Sequence, residues 1–96
     1  PANKPLATKY PPKSNNSSTI TASKACTNYD AEYRLPKADE LLSMAVNKKL
    51  IDNTNDFYYI SSEFWNTNKE IVQNLNSLSR DDYNAYTAWW VWCIKR

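Results

Sequence analysis

The chain has 96 residues, no histidine, no glycine and a formal net charge of +2. That length allows one domain at most, and a domain of this size buries only about 60 to 65 % of the surface that its unfolded chain exposes. The basic charge is mild and scattered, without a basic stripe, so we expect no nucleic-acid partner. No apolar run is long enough to cross a membrane, so any attachment is expected to come through an anchor of a parent protein.

The residue types also argue against catalysis. Without His, neither a Ser-His-Asp nor a Cys-His arrangement can form, and without Gly there is no Gly-rich phosphate loop. The adjacent acids Asp39-Glu40 and Asp81-Asp82 do not converge on one substrate atom, because neighbours in a helix or strand point apart. No set of zinc ligands is present. We therefore predict a binding module without metal or cofactor, and not an enzyme.

The first 18 residues differ in composition from the rest. They hold four of the five prolines and a run of Ser and Asn, which is typical of a linker. Leu6, Ala7 and Tyr10 still allow a short edge strand attached to the domain. We predict a linker over residues 1–18, joining a preceding domain, and a folded domain over residues 19–96.

Two helices are predicted. The first is short and has Thr21 or Ser23 as N-cap, and its apolar residues recur with helical spacing at Ala22, Ala25, Cys26 and Tyr29. The second runs from about Lys37 to Lys49, with an apolar face made of Ala38, Leu41, Leu42, Ala45 and Val46. Its acids lie near the positive end of the helix dipole, and Lys48 and Lys49 lie near the negative end.

Aromatic and β-branched residues predict strands over residues 57–61 and 86–94, separated from the second helix by a turn at 52–56. The last strand has bulky residues on both faces, so we expect it to be central and covered on each side, with Cys93 facing the first helix. Its other face, with Trp90 and Trp92, either packs on the second helix or a loop, or is partly exposed. Residues 69–75 fit a helix or a strand, and the pair Ile71-Val72 favours the strand. In the absence of glycine, we expect asparagine to supply positive φ at turns and helix ends.

Cys26 and Cys93 are the two cysteines of the chain. They lie near the two ends of its apolar part, and a bond between them would stabilise the domain by roughly 4 kcal/mol in the loop-entropy model. The alternative is a pair of buried thiols that pack as small apolar residues. We favour the disulfide, and with it an extracytoplasmic domain.

Three segments together resemble bacterial C-type-lectin-like domains. Residues 33–42, Tyr-Arg-Leu-Pro-Lys-Ala-Asp-Glu-Leu-Leu, resemble the signature W-R-L-P-[TS]-x-x-E-L, and residues 59–63, Tyr-Ile-Ser-Ser-Glu, resemble the strand W-S-S-[ST]-E. Residues 92–96, Trp-Cys-Ile-Lys-Arg, are similar to the closing V-R-C-V-R of that group and to the end of the intimin and invasin adhesins. Tyr33 and Lys37 depart from the signature, so the second helix needs another cap. The calcium and sugar motifs E-P-N and W-N-D are absent.

The resemblance implies a C-type-lectin-like α+β fold, with two short helices packed on a small, mainly antiparallel sheet and a Cys26–Cys93 disulfide. It also implies an adhesin tip on the cell surface: a monomeric domain that binds a receptor protein on another cell. The alternative is a calcium-independent module of a secreted or pilus protein that binds glycan or matrix, and a third class is a purely structural cap.

Binding is expected on two loops, residues 63–69 and 78–85. Their candidate receptor-binding residues are Phe64, Trp65, Asn66, Asn68, Lys69, Arg80, Asp81, Asp82 and Tyr83. Aromatic residues and Arg beside charged residues are typical of an interface centre with a polar rim. The alternative is a solvated loop in which Arg80 pairs with a neighbouring Asp.

Overall fold

The computed structural model describes residues 3–47 and 58–96. In these two ranges the elements follow the order β1 (Asn3–Tyr10), α1 (Ala22–Tyr29), β2 (Tyr33–Arg34), α2 (Ala38–Val46), β3 (Tyr58–Asn66), β4 (Lys69–Asn74), β5 (Arg80–Asn84) and β6 (Trp89–Lys95). The predicted α+β class is confirmed, and residues 69–74 form a strand. The predicted turn at 52–56, together with Phe57, Lys48 and Lys49, lies outside the described residues.

The sheet has the order β1-β6-β3-β4-β5, and β2 also pairs with β6. Its pairs are antiparallel except β3 with β6, which run parallel where Tyr59 pairs with Trp90. The sheet is therefore mixed. Because β6 has β1 on one side and β3 on the other, the last strand is central, as predicted.

The N-terminal strand is longer than the short edge strand that the sequence allowed. β1 pairs with β6 from Asn3 opposite Ile94 to Tyr10 opposite Trp89, and the register shifts between Pro5 and Lys9. Proline is tolerated here because β1 is an edge strand and its outer side needs no donor. Residues 3–10 are thus part of the same sheet as β6.

Both helices begin near the predicted positions. Thr21 caps α1, because its hydroxyl accepts a hydrogen bond from the Lys24 N–H at 3.3 Å. In α1, Ala22, Ala25 and Cys26 are buried, whereas Tyr29 at the end is 52 % exposed. In α2, the buried face includes Met44. Val46, which we predicted on that face, is 64 % exposed.

Two apolar clusters occupy the two faces of the sheet, because side chains alternate along each strand. The α1 cluster joins Ala22, Cys26, Tyr33, Leu35, Ile60, Val72, Val91 and Cys93. The α2 cluster joins Leu41, Met44, Ala45, Tyr59, Leu75 and Trp92, with Trp90 and Ile94 against it. The alternation predicted for β6 is confirmed, and its Trp90 and Trp92 face packs on α2.

The predicted disulfide lies inside the α1 cluster. Cys26 and Cys93 are bonded, with Cα atoms 5.6 Å apart and a separation of 67 positions in sequence. Both side chains have no exposed surface. The bond therefore fixes α1 to the central strand and leaves the outer strands β4 and β5 without a covalent link.

Within residues 3–47 and 58–96, asparagine does not supply the positive φ that we expected. In the described part of the chain, the residue in the left-handed region is Leu78, with φ of 68°. The asparagines act through their side chains instead: Asn74 Oδ1 accepts from the N–H groups of Asn76 and Ser77, and Asn84 Oδ1 accepts from that of Tyr86. Such bonds fix a turn without unusual backbone angles.

Candidate functional site

The two segments predicted as binding loops are strands. Residues 63–66 continue β3, Lys69 begins β4, and residues 80–84 form β5, which leaves Thr67 and Asn68 as the turn of a hairpin. β5 escaped prediction because it is an edge strand whose residues are all exposed, so it lacks the apolar alternation on which strand prediction depends.

Strand alternation divides the nine candidate residues between the two faces of the sheet. In the register of β4 and β5, Ile71 lies opposite Asp82 and Gln73 opposite Arg80, whereas Glu70 lies opposite Tyr83. On the α2 face, a depression of about 370 Å³ is lined by Trp65, Ile71, Arg80, Asp81 and Asp82. We use the name Trp65 surface for Trp65, Lys69, Ile71, Arg80 and Asp82.

Trp65 is the main apolar group of this surface and is 70 % exposed. It lies within β3 at the register shift between Phe64, which pairs with Glu70, and Asn66, which pairs with Lys69, so its two neighbours in sequence are held by the β3–β4 pairing. Beside it, Lys69 Nζ lies 3.7 Å from Asp82 Oδ2. A large exposed ring next to paired charges has the composition of an interface centre with a polar rim.

Arg80 is held in place from two sides. Its Nε donates to Gln73 Oε1 and its Nη2 donates to Asp39 Oδ1, both at 2.8 Å. The expected alternative, a pair with a neighbouring Asp, is wrong, because the partner Asp39 comes from α2. The two bonds orient the guanidinium before any partner arrives, which lowers the entropy cost of using it in binding.

The buried side chain of Gln73 helps to hold Arg80 in this orientation. It has no exposed surface, and its Nε2 donates to the carbonyl oxygens of Asn74, Leu78 and Ser79 at 3.1 to 3.2 Å. One amide thus fixes the turn between β4 and β5 and also holds Arg80. This role of Gln73 was not predicted, because no sequence signal points to it.

The side chains of other candidate residues contact neighbours within the sheet and its hairpin turn. Tyr83 stacks with Tyr58 and Trp89, at ring distances of 5.8 and 4.9 Å. Asp81 Oδ2 accepts a 2.7 Å hydrogen bond from the Tyr58 hydroxyl. Asn66 Oδ1 accepts from the Asn68 N–H at 2.9 Å and so shapes the hairpin turn. Of these residues, Asp81 also lines the depression beside Trp65.

Phe64 lies on the opposite face from Trp65, in a cleft of about 490 Å³ beside α1. We use the name Glu70 cleft for its lining: Pro12, Ser23, Arg34, Leu35, Lys37, Ser62, Phe64, Glu70 and Arg96. Phe64 is 43 % exposed, and Lys13 Nζ lies 5.2 Å from the centre of its ring.

Glu70 is a buried acid at the floor of this cleft. It is 1 % exposed, its Oε1 accepts the Ile71 N–H at 2.9 Å, and its Oε2 has no hydrogen-bond partner within residues 3–47 and 58–96. Burial raises the pKa of Glu70 to about 8, so the carboxyl group is mostly neutral at neutral pH. The burial of Glu70 has a signal in the sequence: alternation along β4 places it on the same face as the buried Val72.

The start of α2 is capped by two carboxylates. Glu63 Oε1 accepts the Ala38 N–H and Glu40 Oε1 accepts the Lys37 N–H, both at 2.8 Å. These bonds replace the Ser or Thr cap that Lys37 cannot provide. Glu40 also bonds Arg34 in two places, and the Arg34 guanidinium lowers the pKa of Glu40 to about 2.

Comparison of the chain with family models, with curated proteins and with solved structures gives no match in any of the three. In the described ranges, no three His, Cys, Asp or Glu side chains group where they could hold a metal ion. Over the same residues, no helix combines the length and the apolar character needed to cross a membrane.

Proposed function

We propose that this chain is a C-type-lectin-like tip domain of a cell-surface adhesin, and that it binds a receptor protein on another cell through the Trp65 surface. The observation that carries the proposal is the exposure of Trp65, 70 %, between the paired residues Phe64 and Asn66 of β3. An exposed indole is unfavourable in water, and its burial in a partner releases that apolar surface. The extracellular location rests on the disulfide, since such bonds persist in oxidising compartments.

The charges around Trp65 support a protein partner. Arg80 is oriented by Gln73 and Asp39, and Lys69 pairs with Asp82. Trp and Arg are the residues most enriched at the energetic centres of protein interfaces. Because the charges are already paired, the partner does not have to bury an isolated ion, which would oppose binding.

The test uses the purified domain and Trp65→Ala, with Tyr86→Ala as the matched control, because Tyr86 is also exposed, at 48 %, and lies outside the Trp65 surface. Binding to receptor-bearing cells is measured before and after the cells are treated with protease. We expect Trp65→Ala to weaken binding about tenfold or more, Tyr86→Ala to bind like the unchanged domain, and protease to abolish binding. Equal binding of the two variants, or binding that survives protease, contradicts the proposal.

A further inference from the structure

The Glu70 cleft lies on the other face of the sheet from the Trp65 surface and takes no part in the function proposed above. Its lining contains three cations, Arg34, Lys37 and Arg96. Arg34 is paired with Glu40. Lys37 and Arg96 form no side-chain ion pair with any residue in the described ranges. The carboxylates of Glu40 and Glu63, which bond the backbone N–H groups of Lys37 and Ala38, offset part of this charge. Three cations against two carboxylates leave an excess of positive charge at the cleft.

Glu70 adds an independent observation. A buried carboxyl oxygen without a hydrogen-bond partner is unfavourable, and Oε2 is such an atom in a side chain that is 1 % exposed and lines the cleft. With the proton retained, Oε2 is a hydrogen-bond donor. Lys37, Arg96 and the protonated Glu70 then present hydrogen-bond donors to the cleft. Arg34, the remaining cation, is paired with Glu40.

The other lining residues indicate which further chemical groups the ligand should carry. Ser23 and Ser62 supply hydroxyl groups, which both donate and accept, and Phe64 and Leu35 supply an apolar wall. A volume of about 490 Å³ lies within the range of small-molecule sites, about 300 to 1,000 Å³. The ligand that matches has a carboxylate for the cations and hydroxyl groups for the serines.

We propose that the Glu70 cleft binds an acidic sugar unit, a hexuronate or sialate, with its carboxylate toward Lys37 and Arg96 and with Glu70 as a hydrogen-bond donor. Neither calcium nor the Trp65 surface is needed. Charge-assisted bonds to a carboxylate supply affinity, and the hydroxyl and apolar contacts supply preference for a sugar.

The experiment is a titration of the whole ¹⁵N-labelled domain followed by NMR. Its four probes separate charge from hydroxyl groups: sodium glucuronate has both, glucose lacks the carboxylate, acetylglycine lacks the sugar, and glucosamine carries the opposite charge. We expect glucuronate to shift the amide signals of Lys37, Ser62 and Phe64, and to bind at least about tenfold more tightly than each other probe. Stronger binding of glucosamine, or equal binding of glucose or acetylglycine, overturns the proposal.

Variants locate the site. Lys37→Gln and Arg96→Gln together are expected to weaken glucuronate binding about tenfold or more, whereas Lys24→Gln, which removes an exposed cation outside the lining, leaves it unchanged. Glu70→Gln keeps a donor at this position and is expected to retain binding. Unchanged affinity in the Lys37 and Arg96 variant, or equal loss in Lys24→Gln, refutes the assignment. Trp65→Ala should retain glucuronate binding, so failure of the cleft and failure of the adhesin proposal are distinguishable.

Discussion

The buried acid Glu70 predicts how the stability of the domain varies with pH. Its pKa is about 8 in the folded state, because of burial, and near 4.5 in the unfolded chain. Glu63 raises this pKa further, while the Ile71 N–H, the nearby Ser61 hydroxyl and the charge of Lys13 lower it. Between these two pKa values the folded state holds a proton that the unfolded chain has lost.

The sign follows from proton linkage. Where the folded state binds more protons, the free energy of unfolding falls as pH rises. We therefore expect full stability near pH 4.5, a steady loss through neutral pH, and no further loss from Glu70 above about pH 8. A pKa difference of that size corresponds to a loss on the order of 5 kcal/mol, a large share of the roughly 5 to 15 kcal/mol typical of a domain.

The assay is urea denaturation followed by tryptophan fluorescence across this pH range. Glu70→Gln removes the titrating group but keeps the shape, so its free energy of unfolding should match that of the unchanged domain near pH 4.5 and exceed it at pH 8. Glu32→Gln is the control, because its side chain is 65 % exposed, and should keep the original slope. An identical pH slope in the Glu70→Gln variant would refute the assignment of the titration to this residue.

Three further changes test the scaffold, each by denaturation at constant pH. Replacing Cys26 and Cys93 together by Ser should lower the free energy of unfolding by about 4 kcal/mol, because the bond spans 67 positions; a loss below about 1 kcal/mol would contradict this. Leu78→Asn should raise stability by about 0.5 to 1 kcal/mol, since φ is 68° there; Leu75→Asn, in the buried α2 cluster, should instead destabilise. Glu63→Ala should cost about 1 kcal/mol through the lost cap of α2; a neutral outcome would show that water satisfies the Ala38 N–H equally well.

Local pattern predicted those parts of the fold where burial and periodicity coincide. Cys26 on α1, the central β6 and its two faces follow from such patterns, and each is present. β5 failed because an exposed edge strand has no buried face to impose alternation. Leu78 failed for another reason: its φ of 68° is set by the turn that Gln73 holds from inside, a tertiary contact that residue preference does not contain.

The candidate site was predicted in composition but not in arrangement. Trp65, Lys69, Arg80 and Asp82 do lie together, but Phe64 is separated from them by the sheet. Phe64 pairs with Glu70 and lines the cleft beside α1, whereas Trp65, at the register shift that follows, lines the depression with Arg80. The two rings therefore serve different surfaces. Asp39 was missed because it comes from α2, and its distance of 2.8 Å to Arg80 is a consequence of how α2 docks on the sheet.

The first turn of α2 touches both surfaces, as strands β3 and β4 also do. Lys37 lines the Glu70 cleft, and Asp39, two positions on, bonds Arg80 of the Trp65 surface. Glu63, one residue before Phe64, caps the same turn at Ala38. The sheet separates the two surfaces elsewhere, so a ligand in the cleft has no direct contact with Trp65. An influence of one site on the other can therefore pass through this turn or along β3 and β4, where Phe64 and Glu70 of the cleft adjoin Trp65 and Ile71 of the other surface in sequence.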